Sequence, residues 1–278
     1  MLYTPEVNHI TDRQVQLFRA KVLKFYRTQG RDLPWRKSTD PYGICVSELM
    51  LQQTQVERVV PKYMAWIHRW PGWKALSRAT NRELLAAWTG LGYNRRALFL
   101  GKLAKAVMEE YDGVMPEDAE VLQTLPGIGP YTAHAILIFA FNRPLVTIDT
   151  NVRKVLLNEF GLPAGTPREE LLALARRALP RGRAREWHNA LMDYGRLALP
   201  KRIPSIPALS RQSRFEGSLR QIRGEIVRQL TAQKSVSINR IARGLKRTEE
   251  DVTRAAKGLV RDGVVILSGR SIRLGPDK

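Results

Sequence analysis

Leu125-Pro-Gly-Ile-Gly-Pro-Tyr-Thr-Ala-His-Ala-Ile136, an apolar run to Phe141, and then Thr147-Ile-Asp-Thr-Asn-Val152 form the stretch on which the fold turns. Gly127 and Gly129 enclose one apolar residue, Ile128, between two segments of helical periodicity. Glycine permits a tight hairpin and leaves backbone N–H groups open to a phosphate. Pro130 suits the first turn of the second helix. About twenty residues further on, Asp149 follows the apolar segment Leu145–Ile148 and is well placed to cap a helix running into Asn151-Val-Arg-Lys-Val155. A ligand-free αα-turn explains the Pro-Gly pair taken alone. The whole pattern instead sets a backbone grip for a phosphate at a fixed distance from an acid.

Working outward, the 278-residue chain carries a net charge of +20 and a pI near 10.6. That balance favours a polyanionic partner, nucleic acid first and an anionic membrane surface second, although solvated helix faces account for part of it. The length allows one large or two unequal domains with a sizeable core. A run of apolar residues long enough to span a bilayer is absent, and Glu6, Asp12 and Arg13 do not read as a signal peptide. One cysteine, Cys45, excludes an internal disulfide and any multi-cysteine metal site. A soluble, cytoplasmic, nucleoid-associated protein is expected.

Upstream, the periodicity predicts a helix over 11–29, ended by Arg31-Asp-Leu-Pro-Trp-Arg36, because the residue before proline is driven out of helical space. Trp35 reads either as core or as an aromatic that stacks on a base between Arg31 and Arg36. A helix over 42–57 would place Glu48, Gln52 and Gln55 on one face. Glu48 is a carboxylate within Ile44-Cys-Val-Ser-Glu-Leu-Met-Leu51, and burial there would raise its pKa and suit it to proton donation. A structural glutamate pointing to water is the plainer alternative. Two helices over 61–88 break at Trp70-Pro-Gly, with Trp66, Trp70 and Trp73 read as packing residues. Trp88-Thr-Gly-Leu-Gly-Tyr-Asn-Arg-Arg96 then holds a loop open beside an aromatic ring and two cations. Further helices are expected over 95–111, 168–179 and 184–198. His134 and His188 lack metal-ligand company and read as packing or surface residues.

Taken together, the hairpin, Asp149, Ser47-Glu-Leu-Met-Leu-Gln-Gln-Thr-Gln55 and Gly90-Leu-Gly-Tyr93 resemble the helix-hairpin-helix (HhH-GPD) DNA glycosylase superfamily, over about residues 11–216 and closest to its adenine glycosylase branch. The resemblance implies a mainly α fold of two subdomains with a cleft between them, 33–143 and 1–32 plus 144–216. It implies double-stranded DNA carrying a mismatch or lesion as partner, no membrane, and a monomer. Glu48 would protonate the departing base, and Asp149, oriented by Asn151, would stay anionic at its helix N-terminus to stabilise the sugar cation. Tyr131 stands where lyase-active relatives carry a Schiff-base lysine, so the enzyme is expected to be monofunctional, the phenol instead hydrogen-bonding near the sugar. Gly127, Ile128, Gly129 and Thr132 would hold phosphate. Gln52, Gln53 and Tyr93 would wedge the duplex as a nucleotide flips out, a step costing a few kcal/mol. Arg31, Trp35, Leu51 and Asn189 would line the base pocket.

The sequence also departs from that pattern. Asn94, Thr150 and Asn189 differ from the residues usual in adenine glycosylases. Adenine opposite 8-oxoguanine or guanine is the first substrate expected, with thymine or uracil opposite guanine as the alternative and a non-catalytic DNA-binding regulator as the alternative of another class. Relatives usually carry four iron–sulphur cysteines after the helix holding Trp187–Gly195. Their intervals counted from Leu199 reach Ile206, Leu209 and Phe215, none able to ligate iron. No cofactor is therefore expected, with a hydrophobic plug in a loop containing Pro200, Pro204 and Pro207. Residues 217–278 carry about 14 basic and 6 acidic residues, a net charge of about +8. Helices over 219–232, 238–245 and 248–262 and a hairpin within Val264–Leu274 resemble a winged-helix module, read either as a DNA contact or as a packing domain. The tail does not resemble the domain that adenine glycosylases use to sense 8-oxoguanine.

Overall fold

The computed structural model describes residues 7–201, 203, 205–206 and 214–277. In chain order its helices are α1 (Asp12–Gln29), α2 (Pro41–Leu51), α3 (Val56–Arg69), α4 (Trp73–Leu76), α5 (Asn81–Trp88), α6 (Arg95–Glu110), α7 (Ala119–Thr124), α8 (Pro130–Phe139), α9 (Thr150–Glu159), α10 (Arg168–Ala178), α11 (Ala184–Asp193), α12 (Leu219–Ala232), α13 (Ile238–Leu245) and α14 (Glu249–Arg261). The strands are β1 (Ser235–Ser237), β2 (Val265–Ser268) and β3 (Ser271–Leu274). The fold is mainly helical. Contacts divide the chain into two units: Met1–Ile44, Glu117–Ala119 and Gly129–Arg211 form the first, and Cys45–Pro116, Glu120–Ile128 and Gln212–Lys278 the second. The tail thus shares a unit with the helices after α2, and the division falls inside α2 and at the hairpin rather than at 33 and 143.

In the first unit, α1 starts on a capping box. The Thr11 hydroxyl accepts from the Gln14 N–H, and the Gln14 side chain accepts from the Thr11 N–H. Its apolar stripe, Val15, Phe18 and Val22, packs into one cluster with Val155 and Leu156 of α9, Leu171 and Leu174 of α10, and Trp187 and Leu191 of α11. Phe18 lies edge-on to Trp187, with ring centroids 5.6 Å apart. Burying each such aliphatic or phenyl side chain contributes roughly 1.5–3 kcal/mol. The helix expected to 198 keeps α geometry only to Asp193, and Tyr194–Ala198 is a π turn. Within it the backbone at Gly195 runs close to α9: a Cβ there would lie 2.9 Å from Val155 Cγ2 and 3.1 Å from the Asn151 carbonyl oxygen.

In the second unit, Trp66, Trp70 and Trp73 are buried as expected. Trp66 meets Trp88 edge-on at 5.5 Å. The helix expected over 42–57 is two helices. α2 ends at Leu51, Gln52–Thr54 turns, and Gln55 is the N-cap of α3. Glu48, Gln52 and Gln55 therefore do not share a helix face. The tail contains the three expected helices, but its sheet has three strands rather than two, in the antiparallel order β1-β3-β2. β1 is only three residues long and reads as Ser-Val-Ser, too short for its period to show. Ile272 of β3 sits between Val236 and Leu267 and is fully buried. Arg82 of α5 fixes the tail by donating to the carbonyls of Leu230, Thr231 and Gln233 at the end of α12, at 2.6, 3.1 and 3.1 Å. These oxygens lack partners within their own helix, and a cation there also complements the helix dipole.

Candidate active site

Glu48 is half-buried on α2 between fully buried neighbours, Ser47, Leu49 and Met50. The path of the chain beyond α2 is set by the second of the two cations beside the Gly-Leu-Gly-Tyr loop, a role its local sequence does not show. Arg96, on α6, is 6% exposed and ties the end of α2 to the Gly90–Tyr93 loop. Its guanidinium donates to the carbonyls of Leu49 and Met50 and, at 2.8 Å, of Gln52. It also reaches the Thr54 hydroxyl at 3.2 Å and the carbonyls of Leu91, Gly92 and Tyr93 at 3.4, 3.0 and 3.4 Å. Burial pulls its pKa down to about 10, so it remains a cation at neutral pH. Arg96 is thus the cap that stops α2 at Leu51.

All three wedge candidates, Gln52, Gln53 and Tyr93, sit on the turns that Arg96 holds. Gln53 and Tyr93 are exposed, and each has a left-handed backbone, with φ of 55° and 48°. Non-glycine residues adopt this region at a cost and persist there when their surroundings fix them, often at functional sites. Gly90 and Gly92, at φ 95° and 72°, supply the rest of the second turn, and the Trp88 indole N–H holds the Gly92 carbonyl at 3.0 Å. Gln53 and Tyr93 line one cavity of about 350 Å³. Gln52 is exposed beside Gln53, and Leu51 is half-buried at the end of α2.

At the hairpin, Gly127 has φ 81°, and a Cβ there would lie 2.7 Å from the Phe99 Cβ. Only glycine fits on both counts. Among the described residues the N–H groups of Gly127 and Gly129 have no hydrogen-bond partner. Ile128 differs from expectation, because its N–H is spent on the Leu125 carbonyl at 3.2 Å in closing the turn. Thr132 is 4% exposed, so its hydroxyl is not presented to a phosphate in solvent.

In the first unit Asp149 is the N-cap of α9. Its Oδ1 accepts from the Val152 N–H at 2.7 Å and its Oδ2 from the Asn151 amide at 3.3 Å. The expectation of a lowered pKa is overturned. Burial pushes this carboxyl up, and the opposing hydrogen bonds from Val152 and Asn151 do not cancel it. Tyr131 is half-buried in the first turn of α8. Trp35 and Asn189 are each 8% exposed. Arg31, expected in the base pocket, pairs with Asp193: its Nε and its backbone N–H donate to that carboxylate at 2.7 and 2.8 Å. Arg36 grips the same carboxylate with two bonds of 2.7 and 2.9 Å. Burial alone would raise the Asp193 pKa, but Arg36 and Arg31 outweigh it and the net shift is downward. Asp193 has a fully buried side chain. It was legible only as a carboxylate inside an apolar run, as Arg96 was only as a cation ahead of the apolar run Ala97-Leu-Phe-Leu100. His188 is buried as packing; its Nδ1–H faces the Ala184 carbonyl at 2.8 Å, and Nε2 accepts from the Thr147 N–H at 3.3 Å.

For the iron–sulphur cluster that relatives hold, the residues present do not fit. Leu199 and Ile206 pack against the first unit's core, and Leu209 lies outside the described residues. Phe215 does not join a plug there: it is 59% exposed and belongs to the second unit. Cys45 is buried, and among the described residues no group of three potential ligands could hold a metal.

A glycine hairpin opening a helix, a capping aspartate downstream and a carboxylate on a buried helix define a class. The chain belongs to the HhH-GPD superfamily of base excision DNA repair proteins, whose family model matches residues 46–181. It is 38% identical over 229 residues to the adenine DNA glycosylase of Mycolicibacterium smegmatis, covering 75% of this chain and 78% of that protein. It is 39% identical over 204 residues to the adenine DNA glycosylase of Mycobacterium tuberculosis, covering 70% of this chain and 64% of that protein. A thymine/uracil-DNA glycosylase of Pyrobaculum aerophilum is 33% identical over 195 residues, 67% of this chain and 85% of that protein. Among solved structures, a thermostable thymine-DNA glycosylase superposes with a TM-score of 0.62 at 27% identity, covering 68% of this chain and 90% of that one.

Proposed function

We propose that this chain is a monofunctional glycosylase that removes adenine paired with guanine or 8-oxoguanine from duplex DNA. The observation that carries the reading is Glu48, a half-buried acid on an otherwise buried helix face, followed by a Gln52–Gln53 turn instead of a continuing helix. The names of the mycobacterial relatives support adenine as the base. In this reading the hairpin N–H groups hold a phosphate, Gln53 and Tyr93 fill the space left in the duplex, and Glu48 protonates a ring nitrogen. Adenine leaves poorly unless so protonated. Asp149, steered by Asn151, opposes the positive charge that develops on the deoxyribose, Tyr131 hydrogen-bonds near it, and Glu48 passes water to the sugar. Tyr131 in place of a lysine supplies no Schiff base, so strand scission by the enzyme itself is not expected. The net charge of +20 suits a duplex partner, and the protein would act as a monomer at the nucleoid in the cytoplasm, its cluster loop closed by Leu199 and Ile206.

Glu48→Gln is the test. It should keep DNA affinity and lose single-turnover adenine excision by two to four orders of magnitude, about the weight of a general acid. Unchanged excision removes Glu48 from the chemistry. Thymine or uracil opposite guanine is the second reading, supported by the Pyrobaculum relative and by Asn94, Thr150 and Asn189. A panel of labelled mismatches followed by alkali cleavage separates the two.

A further inference from the structure

The cavity that Gln53 and Tyr93 line is closed on its other side by the tail. Phe215, Arg223 of α12 and Asp262, just past α14, contribute to its wall, and Arg58 of α3 lies at it too. Its volume of about 350 Å³ falls in the range of small-ligand clefts.

The side chains carry a specific chemistry. Phe215 is a ring left 59% exposed, a surface on which a base can stack. Arg223 lies across Gly258, where a Cβ would come within 1.9 Å of its guanidinium, so α14 fixes its direction. The Arg223 Nε is buried and, among the described residues, makes no hydrogen bond. One of its terminal nitrogens stands 3.8 Å from an Asp262 carboxylate oxygen, a loose pair with both side chains about one-third exposed. A cation beside a carboxylate matches one nucleobase edge. Guanine presents its O6 acceptor next to the N1–H and N2–H donors, so Arg223 can donate to O6 while Asp262 accepts from N1 and N2. Adenine and the pyrimidines do not offer that order of one acceptor and two adjacent donors.

The tail's other surfaces argue against a free-standing groove reader. A recognition helix presents its N-terminal residues to the bases, but the first turn of α14 is Glu249, Glu250 and Asp251, which repels phosphate. The tail is also fastened by Arg82 to α12 and by Asn81 to the Pro276 carbonyl and the Asp277 carboxylate. The module is therefore held in place beside the wedge residues.

We propose that this cavity takes the guanine left unpaired opposite the everted nucleotide, with Phe215 stacking on it, Arg223 and Asp262 reading its Watson–Crick edge, and Arg58 meeting a neighbouring phosphate. The tail then supplies opposite-strand recognition. The proposal rests on the wedge role of Gln53 and Tyr93, but its test needs no excision.

Full-length protein is titrated against duplexes carrying a tetrahydrofuran abasic analogue at the target position, with guanine, adenine or a second tetrahydrofuran opposite. Wild type should bind the guanine duplex at least tenfold tighter than the other two. Asp262→Asn is nearly isosteric at a side chain about one-third exposed, and Phe215→Ala changes an exposed one. Each should reduce that preference to about twofold or less while leaving affinity for the doubly abasic duplex unchanged. A wild type indifferent to the opposite base, a preference that survives both substitutions, or an equal loss on all duplexes overturns the proposal. Adenine release measured separately reports on the glycosylase reading, so the two can fail independently.

Discussion

Replacing Arg96 with lysine keeps the charge and removes the fork. Arg96 serves seven oxygen atoms, those of Leu49, Met50, Gln52, Thr54, Leu91, Gly92 and Tyr93. An ammonium has three donors and a single nitrogen, so at least four of the seven lose their partner. Some of those contacts are long, and water can reach the more exposed ones. At about 0.5–1 kcal/mol for each lost bond, the substitution should cost about 2–4 kcal/mol. For a chain of 278 residues this lowers Tm by roughly 4–12 °C. The functional effect should exceed the stability effect, because the turns released are those that hold Gln53 and Tyr93 at positive φ. At a temperature where the variant is fully folded, single-turnover excision should fall at least tenfold from mismatched duplex, and much less from a target already in single-stranded DNA, which needs no wedge. A Tm within 2 °C of wild type, or equal losses on duplex and single-stranded targets, would refute the assignment of Arg96 as the residue that positions the wedge.

Asp193→Asn should destabilise the protein by about 2–4 kcal/mol at pH 7, because it leaves the half-buried Arg31 and Arg36 without a counter-charge. The Asp193 pKa is lowered in the folded state, so its contribution is present above the ordinary carboxylate value and is lost as pH falls through the lowered one. Urea midpoints across pH 2–7 should show a flatter acid limb in the variant. Asp149 has the opposite sign. Its pKa is raised by burial, so its ionisation costs stability as pH climbs from the ordinary value through the raised one, and Asp149→Asn should gain stability at neutral pH while losing excision. Wild-type excision should rise with pH across that same window, and a flat rate would remove the anion from the mechanism. Gly127→Ala should lose about 1–3 kcal/mol from strain and contact with Phe99 and weaken binding to any duplex, lesion or not; fluorescence anisotropy against undamaged DNA checks it.

The parts of this molecule that show in its sequence are those made by near neighbours. The Gly127–Gly129 hairpin, the Asp149 cap and Asn151, and the Trp66 cluster each depend on residues a few positions apart or on a strong period, and the structure places them accordingly. Where sequence and structure part, a distant partner decided the outcome. The run 42–57 has helical periodicity throughout, yet α2 stops at Leu51 because Arg96, more than forty residues later, takes its terminal carbonyls. The carboxylate that orients Arg31, Asp193, lies 162 positions away in the chain. Local periodicity has no means of reporting such a partner. The Asp149 pKa has the same origin: the cap that lowers it is local and legible, while the burial that raises it is assembled by packing.

The tail shows how this difference bears on function. By composition it is a basic module of about +8, free to lie on DNA or on protein. Its charges are not spread evenly: acids occupy the first turn of α14, while Arg223 points to the cavity that Gln53 and Tyr93 share. A net charge sums over both faces and cannot tell a groove reader from a wall of an existing site. The Arg82 cap on α12 settles on which face the tail is fastened, and that leaves Phe215, Arg223 and Asp262 beside the two strained turns. Loosening the fastening is therefore a sharper probe than removing the module. Arg82→Ala should leave affinity for undamaged duplex within about twofold while eroding the guanine preference of abasic duplexes. An unchanged preference would mean that the tail's position owes nothing to Arg82.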